Sequence, residues 1–218
     1  VDDFTREVMR RMTSIRIAAA APNFYHRRLA TEDPVESMKS LKDGELVADI
    51  DAAVAHLKSI PSVDARRIGT VGHCLGGRIS YLGLVYNPAF MTAALLYPGN
   101  VYESRGAGMP PPFDLTDRIK CPVLGLFGRD DPNPSPEMTA RLSAEFHRLG
   151  IRHEFHTYDA TGHAFQDPHG GKYVEAMRDV ALLVPPFAEA EVVAALGRLR
   201  IAPLLAGTRG DPPLDVQA

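Results

Sequence analysis

The chain has 218 residues, a formal charge of −3 at pH 7 and 45% apolar residues, proportions that suit one globular domain with a sizeable core. No Lys/Arg run offers a footprint for nucleic acid or an anionic membrane surface, and no stretch approaches the roughly 20 apolar residues of a transmembrane helix. Two cysteines, with no C-x-x-C pair and no His/Cys cluster at zinc-ligand spacing, rule out a disulfide framework and make no case for a metal. Small-molecule chemistry without a metal or organic cofactor is therefore the expectation, in a cytoplasmic setting with reduced thiols, for a monomer or small homo-oligomer. The sequence opens at Val1 rather than Met, which leaves a longer parent chain and a lost signal peptide open.

In chain order, Phe4, Val8 and Met12 recur every four residues behind Asp2 and Asp3, which predicts an amphipathic helix over Asp3 to Met12. The apolar run "IRIAAAAPNF", stopped by Pro22, reads as a buried strand. A polar loop with Tyr25, His26 and Arg27 follows. "GELVADIDAAVAHLKS" then places Leu46, Ile50, Ala53, Val54 and Leu57 on one helical face. "RRIGTVG" reads as a strand, followed by a turn at Cys74 and a helix from about Gly76 to Val85. "MTAALLYPG" and "CPVLGLFG" are two more strands, joined by a polar Gly/Pro-rich loop, Pro98 to Pro112, expected to be mobile. Ser135 as N-cap and Pro136 in the first turn open a helix that Gly150 ends, and "IRHEFHTYDA" is the last strand. Pro185 and Pro186 interrupt a closing helix, and residues 199–218 read as a disordered tail behind a single domain over 1–198.

Strands alternating with helices predict an α/β fold, a mostly parallel sheet with helices on both faces, whose site lies at the carboxyl ends of the strands. Three such ends carry chemistry: Cys74 after "IGTV", the pair Asp130/Asp131 after "VLGLF", and His163 after "HEFHTY". Thiol, carboxylate and imidazole in the order Cys, Asp, His follow the chain order of nucleophile, orienter and base in α/β-hydrolases. A nucleophile on a tight strand-to-helix turn needs glycine two residues before and two after it, and Gly72 and Gly76 meet that requirement. The turn opens a helix, so the Leu75 amide can point at a developing oxyanion. Cys121 heads a strand and reads as inert core. His73 reads either as a packing histidine or, beside Cys74, as a substrate contact.

With "PNFYHR", "VGHCLGG", "CPVLGLFGRDDPNPSP" and "GHAF", spread over Asp2 to Gly171, the chain resembles the dienelactone hydrolase family of α/β-hydrolases, which carries cysteine where most relatives have serine. The resemblance implies Cys74 as nucleophile, His163 as base, and an orienter from the aspartate pair, Asp131 by its spacing from Gly128 and Asp130 as the alternative. It also implies Arg27 as a substrate-carboxylate contact, with Tyr25 and His73 beside it, and an ester or lactone as substrate. Two departures stand out. Where original members place a second arginine after the His motif, this chain has an acidic residue near Asp167. The family also places a strand and a His-Glu loop before the first helix, and neither is present; the strand belongs between "IRIAAAAPNF" and "RRIGTVG". The expectation is an N-terminally truncated α/β-hydrolase that either leaves this gap or closes it by direct pairing. A catalytically inactive or redox-responsive relative with the same fold is the alternative.

Overall fold

The computed structural model describes residues 3–28 and 33–165. The order of elements is α1 (Asp3–Ser14), α2 (Pro34–Lys39), α3 (Asp43–Ser59), β1 (Ile68–His73), α4 (Leu75–Tyr86), β2 (Phe90–Leu96), β3 (Val123–Gly128), α5 (Pro136–Arg148) and β4 (His153–Tyr158), with a 3-10 helix (Pro112–Arg118) between β2 and β3. The four strands form one sheet in sequence order, every pair parallel. Their carboxyl ends therefore share one edge, where Cys74, Tyr97, Asp131 and His163 emerge.

A parallel sheet must bury both faces, and the central strands show it. On β2, Ala93 and Leu95 face a core with Tyr81, Phe127, Leu142 and Phe146, while Ala94 and Leu96 face Leu124, Leu126, Tyr158 and Phe165. Helix α3 lays Leu46, Ile50 and Val54 against Ile79 and Leu82 of α4 and Ile68 of β1, which is the apolar stripe read from the sequence. Ser135 caps α5 by accepting the Met138 N–H (3.3 Å), and Gly150 follows α5 with φ of 67°, a conformation that suits glycine. Helix α2 was not anticipated; Asp33 caps it by accepting the N–H groups of Val35 and Glu36.

The predicted strand over Ile15 to Phe24 is not formed. Ile15 and Arg16 belong to the turn that ends α1. Residues 17–23 carry no regular secondary structure and pair with no strand among the described residues. A strand needs a partner at hydrogen-bonding distance, and β1, which lines one cavity with residues 17–23, is paired with β2 and not with them. The gap expected there is neither closed by direct pairing nor filled. It is an open slot with β1 on one side and residues 17–23 on the other. The disordered-tail and Pro185/Pro186 readings lie outside the described residues.

Behind the carboxyl edge sits an ion pair that sequence reading missed. Arg78 and Asp43 are both fully buried and meet in two bonds, Nη1 to Oδ1 at 2.6 Å and Nη2 to Oδ2 at 3.0 Å. Arg78 also donates to the carbonyls of Asn100 (3.0 Å) and Glu103 (2.7 Å), and Asp43 accepts the Arg105 N–H (2.8 Å). The loop expected to be mobile is thus anchored to the start of α3 and the first turns of α4. A buried pair is tolerable only when its remaining donors and acceptors are met in this way, and removing one partner strands the other charge. Arg78→Met is expected to lower unfolding stability by about 3–5 kcal/mol in urea titration, and the double change Asp43→Leu with Arg78→Met to recover most of that loss. A single variant as stable as the parent chain would contradict the assignment.

Candidate active site

Strand β1 passes into α4 through a single residue. Cys74 holds φ of 54° and ψ of −118°, a conformation that costs a non-glycine residue of order 1–3 kcal/mol and persists only where its surroundings fix it. Those surroundings are legible. The Cys74 N–H donates to the Leu96 carbonyl (3.0 Å), and its own carbonyl accepts the Arg78 N–H (3.1 Å). A Cβ on Gly72 would lie 2.0 Å from the Gly76 carbonyl oxygen, and one on Gly77 would lie 3.0 Å from that of Leu96. A Cβ on Gly76 would meet nothing within 4 Å. The sequence expectation is therefore corrected at one position: the turn needs Gly72 for clearance, and the second tight glycine is Gly77 rather than Gly76.

The strained turn aims the Cys74 sulfur at His163. His163 Nε2 lies 2.9 Å from Cys74 Sγ, and Nδ1 lies 2.8 Å from Asp131 Oδ2. Asp131 is buried, and its other oxygen accepts the Asn133 N–H (2.8 Å). Of the two candidate aspartates, Asp131 alone makes the histidine contact; Asp130 is exposed, with its backbone N–H on the Thr161 carbonyl (2.9 Å). Burial pulls the His163 pKa down, but the hydrogen bonds to Asp131 and Cys74 and the charges they carry outweigh it and raise the pKa to about 9. The ring thus bridges the Asp131 carboxylate through Nδ1 and the Cys74 sulfur through Nε2.

Leu75 is the first residue of α4, so its N–H is one of the helix's four amino-terminal donors without an intrahelical acceptor. Tyr25 and His73 line the same 730 Å³ cavity as Cys74. Burial raises the Tyr25 phenol pKa, with Arg105 opposing the shift. Arg27 is not in that lining. Its Nη1 is bonded to Asp49 Oδ2 (2.5 Å), and His26 holds the other Asp49 oxygen (3.0 Å). The two-residue step from Tyr25 to Arg27 turns the guanidinium toward α3, because Asp49 offers a carboxylate there.

Sequence reading also missed Tyr97. It is buried, with φ of 38°, and its ring packs edge-on to His163 (5.1 Å) and Phe165 (4.9 Å). Its position just past the carboxyl end of β2 was the signal that could have found it. Asn100 and Asn133 join the loops after β2 and β3 through two bonds, 2.6 and 3.1 Å. Among the described residues no group of three His, Cys, Asp or Glu side chains is placed to hold a metal, and no helix is long and apolar enough to cross a membrane. Asp167 lies outside the described residues.

The sequence profile of the "Dienelactone hydrolase family" matches residues 1–183, and that of an "ATP-grasp domain" matches residues 159–218. A "Putative carboxymethylenebutenolidase" of Methylorubrum extorquens is 31% identical over 181 residues, which are 79% of this chain and 62% of that protein. A protein of the same description from Synechocystis sp. is 26% identical over 76% of this chain and 71% of its own length. The chain thus spans about two thirds of the curated relatives it matches. Among solved structures, a dienelactone hydrolase-type protein from Klebsiella pneumoniae superposes with a TM-score of 0.71 at 24% identity, covering 92% of this chain and 80% of that one. A dienelactone hydrolase-like promiscuous phosphotriesterase, P91, from metagenomic libraries gives 0.66 at 19% identity, covering 94% and 81%. The parallel sheet, the turn at Cys74 and the profile match agree: the chain belongs to the dienelactone hydrolase family and has the α/β-hydrolase fold.

Proposed function

We propose that this chain hydrolyses small, neutral esters or lactones through Cys74, with His163 as base and acid and Asp131 as its orienter. The observation that carries the reading is the unbroken run from Asp131 Oδ2 through His163 to Cys74 Sγ, with contacts of 2.8 and 2.9 Å. The Cys74 thiolate attacks the carbonyl carbon, and the Leu75 N–H donates to the oxygen that takes up the negative charge. As the tetrahedral intermediate collapses, His163 gives its Nε2 proton to the departing alkoxide, leaving a thioester and an alcohol. His163 then takes a proton from water, hydroxide attacks the thioester, and the acid leaves as the thiolate and imidazolium are regenerated. Asp131 keeps Nδ1 protonated throughout.

A neutral substrate is favoured because the cation expected to grip a carboxylate, Arg27, is engaged by Asp49, and because the cavity that holds Cys74 is lined largely by apolar residues, among them Leu75, Phe4 and Tyr97. The two free thiols, Cys74 and Cys121, suit a reducing compartment, and we place the protein in the cytoplasm on that ground. A redox-responsive relative without turnover is the second reading. It draws on the oxyanion position, where Leu75 is the one donor we identify.

Turnover of p-nitrophenyl acetate is expected in the 218-residue chain and reduced more than about a thousandfold in Cys74→Ala. Thiol oxidation without turnover in a folded parent chain would favour the second reading. Asp131→Asn is expected to lower kcat at least about a hundredfold, with Asp130→Asn within about twofold of the parent; equal losses in both would contradict the assignment of Asp131. The raised His163 pKa also sets a pH dependence of stability. Because the folded value, about 9, lies above the ordinary imidazole value of 6.5, the stabilisation is complete below about pH 6.5 and is lost as pH rises through 9. Urea midpoints of the parent chain and His163→Gln should therefore differ most at pH 6 and converge toward pH 9.5. A gap that widens with pH would show the imidazolium is not the stabilising form.

A further inference from the structure

Asp131 meets His163 through one oxygen, Oδ2 (2.8 Å), and among the described residues its other oxygen accepts one hydrogen bond, from the Asn133 N–H (2.8 Å). That second bond reaches only two residues along the chain, as in an Asx turn. A carboxylate gripped so locally faces wherever the peptide between residues 132 and 133 turns it. Its orientation therefore depends on what holds Asn133.

Asn133 is held by Asn100, on the loop after β2. Asn133 Nδ2–H donates to Asn100 Oδ1 (2.6 Å), and Asn133 Oδ1 accepts the Asn100 N–H (3.1 Å). The backbones are close as well, since a Cβ on Gly99 would lie 3.2 Å from the Asn133 carbonyl oxygen. Asn100 is in turn fixed from behind: its carbonyl accepts Arg78 Nε–H (3.0 Å), and Arg78 is bonded to the buried Asp43. The turn that carries Asp131 is thus tied, through one pair of amides, to the buried ion pair.

The residue types at both positions suit that task. Asn100 has φ of 56°, which asparagine and glycine accept far more readily than other residues, and glycine would lack the acceptor. Asn133 gives one hydrogen bond and takes another from the same end group. A carboxylate at 133 would set an oxygen against Asn100 Oδ1, acceptor against acceptor. Both asparagines are half-buried, where hydrogen bonds compete less with water, and neither lines the cavity that holds Cys74.

We propose that the Asn100–Asn133 amide pair is a positioning device for the site: it turns the Asn133 N–H onto Asp131 Oδ1 and so keeps Oδ2 in line with His163 Nδ1. For its effect on turnover this rests on the hydrolytic reading, but its first readout needs no substrate. Loosening the carboxylate weakens the bond that favours the charged ring, so the His163 pKa falls from about 9. The charged groups that act on His163 are Asp131 and Cys74, and the ring packed edge-on to it from the end of β2 is Tyr97.

The test is an NMR titration of the His163 ring in the substrate-free 218-residue chain, followed by kcat and KM for p-nitrophenyl acetate. Asn133→Ala removes both amide bonds. Asn100→Gly removes the shorter one while keeping the φ of 56°, and Asn100→Asp keeps an acceptor in the same place. The titration midpoint is expected to fall by about half a pH unit or more in Asn133→Ala and in Asn100→Gly, and no further when the two are combined, because they break one device. In the same variants kcat is expected to fall about tenfold, with KM within about twofold of the parent. Asn100→Asp should not lower the midpoint. An unchanged midpoint in both Asn133→Ala and Asn100→Gly, in chains whose urea midpoints show them folded, would overturn the proposal. A fall in Asn100→Asp equal to that in Asn100→Gly would also overturn it, because the amide hydrogen bond would then not be the cause. Midpoints that fall as expected in a chain without turnover would support the positioning role and count against the hydrolytic reading alone.

Discussion

Between β1 and α4 the backbone reverses within one residue, and nearly everything at the carboxyl edge follows from holding Cys74 at φ 54°. That conformation is unfavourable for an L-residue, so it must be imposed. The Leu96 carbonyl fixes the Cys74 N–H from the neighbouring strand, the Arg78 N–H takes its carbonyl from the following helix, and Gly72 leaves room for the Gly76 carbonyl to pass at a distance that no side chain would permit. The result is a sulfur that projects from the sheet edge toward a histidine on a different loop. Arg78 then does two things. Its backbone closes the turn, and its side chain, paired with Asp43, fixes the loop at Asn100 that is bonded to Asn133 beside Asp131. The Cys74 turn and the Asp131 carboxylate are thereby joined through one continuous set of hydrogen bonds.

How much of this was legible in the sequence depended on whether the cause was local. The helix Asp43–Ser59 and the strands around Thr70, Leu95 and Leu126 could be read because apolar spacing and turn residues are local signals. The site was legible for the same reason: Cys74, Asp131 and His163 each stand just past a strand end, and the topology does the rest. In the sequence, only the spacing from Gly128 favoured Asp131 over Asp130. Their difference is which way the chain turns after Gly128, and that is settled by Asp130 bonding Thr161 while Asp131 is buried against His163.

Where the reading failed, a distant partner was responsible. "IRIAAAAPNF" has the pattern of a buried strand, but a strand also needs a neighbour at hydrogen-bonding distance, and residues 17–23 have none among the described residues. Arg27 sits where the family resemblance puts a substrate contact, yet Asp49, 22 residues away in sequence, holds it. Arg78 drew no reading from the sequence, yet it is fully buried, with Asp43 and two loop carbonyls gathered around it. Gly76 seemed as necessary as Gly72, but only the geometry of the turn shows which glycine lacks space. Each of these turns on long-range contacts that periodicity does not record.

The central claim is that Cys74 forms the covalent bond to substrate, and the most direct measurement is to look for that bond. The chain would be mixed with p-nitrophenyl acetate, quenched in acid within the first turnovers, digested and analysed by mass spectrometry. The account predicts one acetyl group per chain, located on the peptide that contains Cys74 and absent from the peptide that contains Cys121. Hydrolysis that proceeds with no acetyl group on Cys74, or with the label on Cys121 or a histidine, would contradict it.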